Sequence, residues 1–277
     1  MKKILLVIDS MLLTKSAVKY ACYIANMTGS RLIGVFVENE PFPEMPPNMQ
    51  VFDQASVGNN DNNPVWASAS YGLENSIREF TTGCKSEGVT ATVFLDRAVS
   101  PGELLEEARL SDLLISDATI SLSDKNEEIP SRFLRHLLTN TSCPVLITPP
   151  VFEPPEEIVF CYDQSDSAIQ AMKQFTLLLP YWNECKVTVL TVNKDGVLLP
   201  EEKRRLREWL CKYYSNTDFK VLAGNTDMEL SAFLMRSKRP LVVMGAYGRS
   251  VVSRIFRESH ADSLIQTLAF PLFIAHS

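Results

Sequence analysis

The chain has 277 residues, of which 45% are hydrophobic and 22% charged, and its formal net charge at pH 7 is −6. This composition supports a buried core in one large domain or two ordinary ones. The acidic balance argues against nucleic acid as a partner, because nothing in the chain neutralises phosphates in bulk. No stretch approaches the roughly 20 apolar residues of a membrane span, so we expect no membrane partner.

Cysteine and histidine usage bears on the compartment and on metals. The six cysteines are scattered, with no CxxC pair and no metal-ligand spacing to the three histidines. Asp9 interrupts the apolar N-terminal run after five residues, which is not typical of a signal peptide. We therefore expect a reduced, cytoplasmic protein without a metal site.

Apolar runs and helical periodicity predict alternating strands and helices in the first half of the chain. The predicted strands are residues 3–8, 31–37, 90–95, 113–116 and 144–148. The predicted helices are residues 15–27, 73–86, 101–110 and 131–140. Gly29 follows the first of these helices, where a C-terminal glycine is expected.

A long insert around residues 39–66 separates the second strand from the next helix. Its prolines and asparagines disfavour regular structure, and it is too long for an ordinary connection. It is either a flap over a site or a mobile excursion. A lipid or apolar metabolite held beneath it is a further alternative, because the insert carries Phe42, Met45, Met49, Phe52 and Trp66.

The proline-rich connector "TPPVFEPPEE" predicts a boundary between two domains, 1–150 and 151–277. The predicted strands of the second half are residues 157–162, 186–192, 219–224, 240–244 and 271–275. Its predicted helices are residues 167–179, 201–214, 228–237 and 260–268.

The two halves are internal repeats. The apolar run ending at Asp9 matches the run ending at Asp163, at an offset of 154 residues. "SDLLISDAT" matches "RPLVVMGAY" at an offset of 128, and "SCPVLITP" matches "AFPLFIAH" at 127. Continuous apolar strands separated by helices predict an α/β fold of two tandem, doubly wound, parallel five-stranded sheets, Rossmann-like in kind. Ligands of such sheets bind at the carboxyl ends of the strands, where the strand order reverses.

These repeats resemble the universal stress protein domain. The resemblance rests on the strands ending in aspartate, the fourth strands "DLLIS" and "PLVVMG", and the last strands "CPVLI" and "FPLFI". It covers nearly the whole chain and implies a tandem two-domain member with the universal stress protein fold and a stress-response function. It also implies pairing of the last strands, as a pseudo-dimer within one chain or as a homodimer.

Nucleotide-binding members of that family carry Gly-x2-Gly-x9-Gly-Ser/Thr after the fourth strand, and this motif cradles ATP phosphates. In the second half Gly245, Gly248 and Ser259 match it, but Glu258 stands where the third glycine belongs. A carboxylate there adds bulk and like charge where backbone amides must approach phosphate. At 4–5 Å and an effective dielectric near 20, each unit of phosphate charge meets about 3–4 kcal/mol of repulsion.

Asp163 could form a hydrogen bond to the ribose or base of a nucleotide, or bind a metal, and Arg249 supplies positive charge nearby. The resemblance further implies that Val192 lies at an adenine edge. The candidate cofactor-binding residues are therefore Asp163, Val192, Gly245, Gly248, Arg249 and Ser259. Each also has a plainer interpretation. Aspartate at a strand end forms an Asx turn or a helix cap, valine fills a sheet core, and two glycines make a tight turn without a ligand.

The first half lacks the motif, because Asp117 and Ile120 replace the first two glycines. We therefore expect no ATP site there. No P-loop, HExxH or GxSxG motif is present anywhere in the chain, so no catalytic residues are predicted.

Two functions remain open at this stage. The first is a non-enzymatic stress-response module with a degenerate nucleotide site, which acts by binding an unknown protein partner or another ligand. The second is an ATP binder or slow ATPase that uses the second domain only, with ATP as its cofactor.

Overall fold

The computed structural model of the chain describes residues 2–38, 65–123, 127, 129–245 and 270–275, with side chains from residue 72 onward in the helix that begins at Val65. The elements of the first half are β1 (Lys3–Asp9), α1 (Lys15–Thr28), β2 (Arg31–Val37), α2 (Val65–Ser86), β3 (Ala91–Val93), α3 (Pro101–Ala108), β4 (Leu113–Asp117), α4 (Arg132–Asn140) and β5 (Val145–Thr148). Those of the second half are β6 (Glu157–Cys161), α5 (Asp166–Leu178), β7 (Lys186–Asn193), α6 (Pro200–Leu210), β8 (Asn216–Ala223), α7 (Thr226–Leu234), β9 (Pro240–Gly245) and β10 (Leu272–Ala275).

The strands of the described residues form one sheet in the order β3-β2-β1-β4-β5-β10-β9-β6-β7-β8. Each half contributes five parallel strands in the same relative order, which confirms the predicted α/β fold class. The two halves meet in one antiparallel pair, β5 with β10, so the two predicted sheets are joined into a single one.

The register of the sheet agrees with the sequence repeat. Ile4 lies opposite Leu113 in the first half, and Ile158 lies opposite Leu241 in the second. The differences between these pairs are 158 − 4 = 154 and 241 − 113 = 128. These are the offsets read from the sequence, so the two halves are equivalent residue by residue along their central strands.

The junction between the halves has an approximate two-fold axis. Leu146 of β5 lies opposite Phe273 of β10, and both side chains are fully buried. The repeat offset of 127 residues equates these same two positions, so the axis passes through this pair. The predicted pairing of the last strands within one chain is confirmed, whereas pairing with a second chain stays a prediction.

Helices cover both faces of the sheet, because the central strands are apolar on both sides. Along β1, Ile4, Leu6 and Ile8 belong to one buried cluster, and Leu5 and Val7 belong to the other. This alternation follows from the two-residue period of a strand. The first cluster is covered by α1, α2, α5 and α6, and the second by α3, α4 and α7.

The proline-rich connector lies against the first helix. Ser16 of α1 donates a hydrogen bond to the carbonyl oxygen of Pro149 at 2.7 Å, and the Tyr20 hydroxyl donates to the carbonyl oxygen of Glu153 at 2.8 Å. The ring of Phe152 meets that of Tyr20 edge to face. The connector is thus held along the surface of the first half, while the division at residue 150 itself stays a prediction.

Some element boundaries differ from the prediction. β3 is shorter than residues 90–95, because Leu95 and Asp96 adopt left-handed backbone with φ of 57° and 48°. The helix predicted from residue 73 begins at Val65, so the insert is shorter than 39–66. Residues 39–64 and the helix predicted at 260–268 lie outside the described residues. Among the helices that are described, none has the length and apolarity needed to cross a membrane.

Candidate functional site

The strand order reverses at two places, between β1 and β4 and between β6 and β9. In each half the chain leaves the central strand and enters a helix at that point, through the residues after Asp9 and after Asp163. Crevices at the carboxyl ends of such strand pairs are where open α/β sheets bind ligands. A cavity lies at each of these two ends, and the two cavities are very different.

The second-half cavity is small. It has a volume of about 40 Å³ and lies at the ends of β6, β7 and β9. Three of the predicted site residues line it together: Asp163, Val192 and Gly245. A space of this size holds only a few water molecules, whereas sites for small organic ligands measure about 300–1,000 Å³.

The tight packing of α5 on β9 explains this small volume. A Cβ atom built on Gly245 would lie 2.4 Å from the carbonyl carbon of Ser167 and 2.6 Å from the nitrogen of Ala168. No real Cβ atom approaches backbone so closely, so Gly245 is required by the packing of the helix whether or not a ligand binds. The close packing of α5 therefore explains a glycine at this position as part of a tight turn without a ligand.

The turn between β6 and α5 is held by its own side chains. The Asp163 Oδ1 atom accepts a hydrogen bond from the backbone nitrogen of Ser165 at 3.1 Å and another from the Ser165 hydroxyl. Ser165 in turn caps α5, since its Oγ atom accepts from the nitrogen of Ala168 at 3.2 Å. Asp163 thus forms the Asx turn expected of an aspartate at a strand end.

The other predicted residues of the nucleotide site cannot be placed against this cavity. Gly248, Arg249 and Ser259 lie outside the described residues, as does Glu258. The structure therefore brings Asp163, Val192 and Gly245 together, and the role of all six candidates in binding a cofactor stays a prediction.

Two further side chains line the second-half cavity and have altered acidity. Burial, together with the negative charge of Asp163, raises the pKa of the Cys161 thiol to about 12. Burial and a hydrogen bond donated to the Glu202 carboxylate raise the pKa of the Tyr162 hydroxyl. Because a thiol reacts as its thiolate, Cys161 is a poor nucleophile at neutral pH.

The first-half cavity is about ten times larger, with a volume of about 430 Å³. It lies at the ends of β1 and β4, and acidic side chains of Asp9, Asp117 and Glu127 line it. Much of the remaining wall is aliphatic. This volume falls within the range of small-molecule sites.

Two local differences accompany the larger volume. α1 begins at Lys15, six residues after Asp9, whereas α5 begins at Asp166, three residues after Asp163. The longer loop places Met11 and Leu12 at the rim of the cavity, with exposed fractions of 60% and 69%. At the end of β4 the fold has Asp117 where β9 has Gly245, so a side chain stands between strand and helix.

Asp117 is the unexpected residue of this cavity. It is only 4% exposed, and its Oδ1 atom accepts hydrogen bonds from the nitrogen of Thr119 at 2.6 Å and from the Thr119 hydroxyl. Its Oδ2 atom is buried and has no hydrogen-bond partner within the described part of the chain. From the sequence, Asp117 was interpreted only as a replacement for the first glycine of the motif, and the length of the loop after Asp9 was the signal that could have indicated a cavity.

The other residues of the first-half site make ordinary backbone contacts. Asp9 Oδ1 accepts from the nitrogen of Met11 at 2.8 Å, which is an Asx turn like that of Asp163. The carbonyl oxygen of Val37, at the end of β2, accepts from the nitrogen of Ser10 at 3.0 Å. Nowhere in the described ranges do three or more His, Cys, Asp or Glu side chains converge as a metal site would require.

Comparisons with known proteins identify the fold. No protein-family model matches the chain, and no curated protein matches it in sequence. A universal stress protein from Archaeoglobus fulgidus has a similar structure, with a TM-score of 0.67 and 12% identity over 98% of both chains. At this identity the likeness establishes the fold of universal stress proteins and no more.

Two proteins of Pseudomonas aeruginosa have the same architecture. One, of unknown function, has a TM-score of 0.52 and 15% identity over 99% of this chain and 92% of its own. The other, provisionally assigned as a universal stress protein, has a TM-score of 0.54 and 14% identity over 99% of this chain and 93% of its own. Both halves of the present chain are therefore matched by solved structures of this fold.

Proposed function

We propose that this protein is a stress-response module of the universal stress protein kind that acts by binding a ligand or a protein partner, without catalysis. In this proposal the nucleotide site of the second half is degenerate. The fold, shared with a universal stress protein over 98% of both chains, supports the class of protein. The geometry of the second-half cavity supports the degeneracy of the site.

The observation that carries the proposal is the cavity of about 40 Å³ where a nucleotide would be expected. The first turn of α5 lies so close to Gly245 that not even a methyl group fits between them. Opening the space would require α5 to move away from β9. The Glu258 carboxylate, at the position of the missing glycine, would add repulsion to that cost.

The thiol of the half-buried Cys161 supports the absence of catalysis at this end of the sheet. With its pKa raised to about 12, the thiol stays protonated at neutral pH, so it offers no ready nucleophile. The Asp163 carboxylate accepts hydrogen bonds from the backbone nitrogen and the hydroxyl of Ser165, within its own turn.

An ATP binder or slow ATPase that uses the second half only is the second candidate. It is favoured by one observation, that Asp163, Val192 and Gly245 line the same cavity. Gly248, Arg249 and Ser259 follow in the order that the motif requires. In this function the phosphates would bind to the backbone of the Gly245–Gly248 turn.

Titration calorimetry with ATP and magnesium distinguishes the two functions. We expect no binding at millimolar ATP by the wild type, Gly248→Val or Glu258→Gly. Ile120→Val changes the corresponding position of the first half and serves as the matched control. Micromolar binding that Gly248→Val abolishes and Glu258→Gly tightens would contradict our proposal and establish the second function.

A further inference from the structure

We propose that a groove between α5 and α6 binds a small aromatic carboxylate. The groove has a volume of about 380 Å³, which falls within the range of small-molecule sites. It lies on the helical side of the second half, and only the buried Tyr162 lines both this groove and the second-half cavity. The inference therefore goes beyond the proposed function and does not depend on it.

The apolar wall of the groove is built from both helices. Its members are Ile169 and Met172 of α5 and Leu206 and Trp209 of α6. Ile169, Leu206 and Trp209 pack against the core of the sheet and yet stay partly exposed. The ring of Trp209 also packs on that of Tyr213, with 5.1 Å between the centroids. A flat aromatic body would cover this surface, because aromatic rings bury a large apolar area and pair favourably with one another.

Charged groups that line the groove favour an anionic head group. Lys173 and Arg205 line it, against the single acidic residue Glu202. Lys173 makes no ion pair or hydrogen bond with any described residue. Arg205 uses its Nε atom to donate to Glu201 Oε1 at 3.2 Å, and its terminal nitrogens make no hydrogen bond within the described part of the chain. Lysine and arginine donors form strong, charge-assisted hydrogen bonds with carboxylates.

Glu202 does not reverse this preference, because it is already engaged. Its Oε1 atom accepts a hydrogen bond from the hydroxyl of Tyr162, a side chain only 3% exposed. The negative charge of Glu202 is thus partly compensated from the buried side of the groove. A bound carboxylate would meet two positive side chains and one acidic side chain that has a donor of its own.

A second groove, between α1 and α2, occupies the equivalent place in the first half. Its volume is about 480 Å³. At the repeat offset of 154 residues, Lys19 corresponds to Lys173, whereas Lys15 stands where the second half has Ile169. Most of its other lining residues are polar or charged, and no aromatic residue of the described chain lines it. The lysine is common to both grooves, so the aromatic and aliphatic wall is what distinguishes the second-half groove as a site for an aromatic carboxylate.

Calorimetry on the full chain tests the inference, with 2-naphthoate as the probe and 2-naphthamide, its neutral isostere, as the ligand control. We expect the naphthoate to bind and the naphthamide to bind at least tenfold more weakly. Lys173→Glu reverses the charge at an exposed position and should weaken naphthoate binding at least tenfold, which corresponds to about 1.4 kcal/mol. Lys19→Glu, the matched change in the first-half groove, should leave the affinity within twofold.

A second variant tests the apolar wall. Trp209→Ala removes the aromatic ring and should also weaken naphthoate binding at least tenfold, whereas Trp209→Phe keeps a ring and should weaken it less than threefold. Circular dichroism checks that both variants fold. Because Lys173 is exposed, Lys173→Glu keeps the test decisive if Trp209→Ala does not fold.

Three results would overturn the inference. They are no naphthoate binding at millimolar concentration, equal binding of naphthoate and naphthamide, and naphthoate binding that either Lys173→Glu or folded Trp209→Ala leaves unchanged. Loss of binding in Lys19→Glu would place the ligand between α1 and α2 and would also refute the assignment. None of these results concerns ATP, so the proposed function stands or fails by its own titration.

Discussion

The two halves of the sheet share one strand order and one register, yet the cavities at their equivalent ends measure about 430 Å³ and about 40 Å³. The backbone of the central strands is therefore not what sets the capacity for a ligand. The difference arises where strand passes into helix, after Asp9 in one half and after Asp163 in the other. At that point the halves differ in the length of the loop and in the residue that ends the fourth strand, Asp117 or Gly245.

Loop length sets how closely the helix approaches the strand. Two residues, 164 and 165, connect Asp163 to the start of α5, and five, 10–14, connect Asp9 to the start of α1. The short connection brings the first turn of α5 against Gly245, and α5 packs along β9 more extensively than α1 packs along β4. The longer connection, between Asp9 and α1, lies beside the first-half cavity, and Asp117 is one of the residues that line this cavity.

The chemistry of the two ends differs as well. The first-half cavity is lined by acidic groups, one of them a buried carboxylate with an unsatisfied oxygen. The described wall of the second-half cavity has the single acidic residue Asp163, beside a thiol that burial keeps protonated at neutral pH. The equivalent ends of the two halves therefore differ in volume and in the number of acidic side chains that line them.

Exchanging the residues that end β4 and β9, Asp117 and Gly245, should have the largest effect on the free energy of unfolding. Gly245→Asp forces a side chain into the backbone of Ser167 and buries a carboxylate without a partner. We expect a loss of about 5 kcal/mol in the free energy of unfolding, from overpacking and from the unpaired charge together. Urea denaturation followed by circular dichroism measures it.

The reciprocal change is the control for that exchange. Asp117→Gly removes a side chain that the first half has room for, and with it a buried oxygen that has no hydrogen-bond partner among the described residues. It also adds backbone freedom to the unfolded chain, which is unfavourable. We expect the free energy of unfolding to change by less than about 1 kcal/mol. Equal losses for the two exchanges would contradict the view that the halves differ in how closely helix and strand approach.

The pair on the two-fold axis should give the next largest effect. Phe273 is fully buried, and its ring meets that of Phe175 edge to face at 5.2 Å between centroids. We expect Phe273→Ala to cost about 4 kcal/mol and Leu146→Ala, at the equivalent position, about 3 kcal/mol. Thermal and urea unfolding of both variants, with sedimentation to check the mass, provide the measurement. A loss below about 1 kcal/mol in both would show that the halves do not meet through these strands in solution.

The repeat and the sheet could be predicted from the sequence because their signals are local. Each central strand is a run of apolar residues, and the match of "DLLIS" with "PLVVM" fixes the offset that the register then shows. The pairing of the last strands followed from the resemblance to a known family. The start of α2 was placed too late, because the residues before Leu73 lack a clear helical periodicity.

The cavities could not be predicted, because their volumes depend on distances between elements that are far apart in sequence. Whether Gly245 marks a phosphate cradle or a close contact depends on where α5 lies, and only the structure shows that a Cβ atom at this position would lie 2.4 Å from the carbonyl carbon of Ser167. The loop lengths after Asp9 and Asp163 were visible in the sequence, but their consequence was not.

Loss of a helix cap should give the smallest difference between the halves in the free energy of unfolding. Ser165 caps α5 through the nitrogen of Ala168, whereas Thr14, at the same place before α1, makes no side-chain capping bond. We expect Ser165→Ala to lower the free energy of unfolding by about 1 kcal/mol and Thr14→Ala by less than about 0.5 kcal/mol. Urea midpoints at equal m-values provide the comparison.

The contrast between these two caps tests why the first-half cavity is open. An uncapped α1 is held at its start mainly by packing, and the residues before it, Met11 and Leu12, face solvent at the rim. If Thr14→Ala cost as much as Ser165→Ala, α1 would be anchored as firmly as α5. The larger cavity would then follow from loop length and Asp117 alone, and the missing cap would have no part in it.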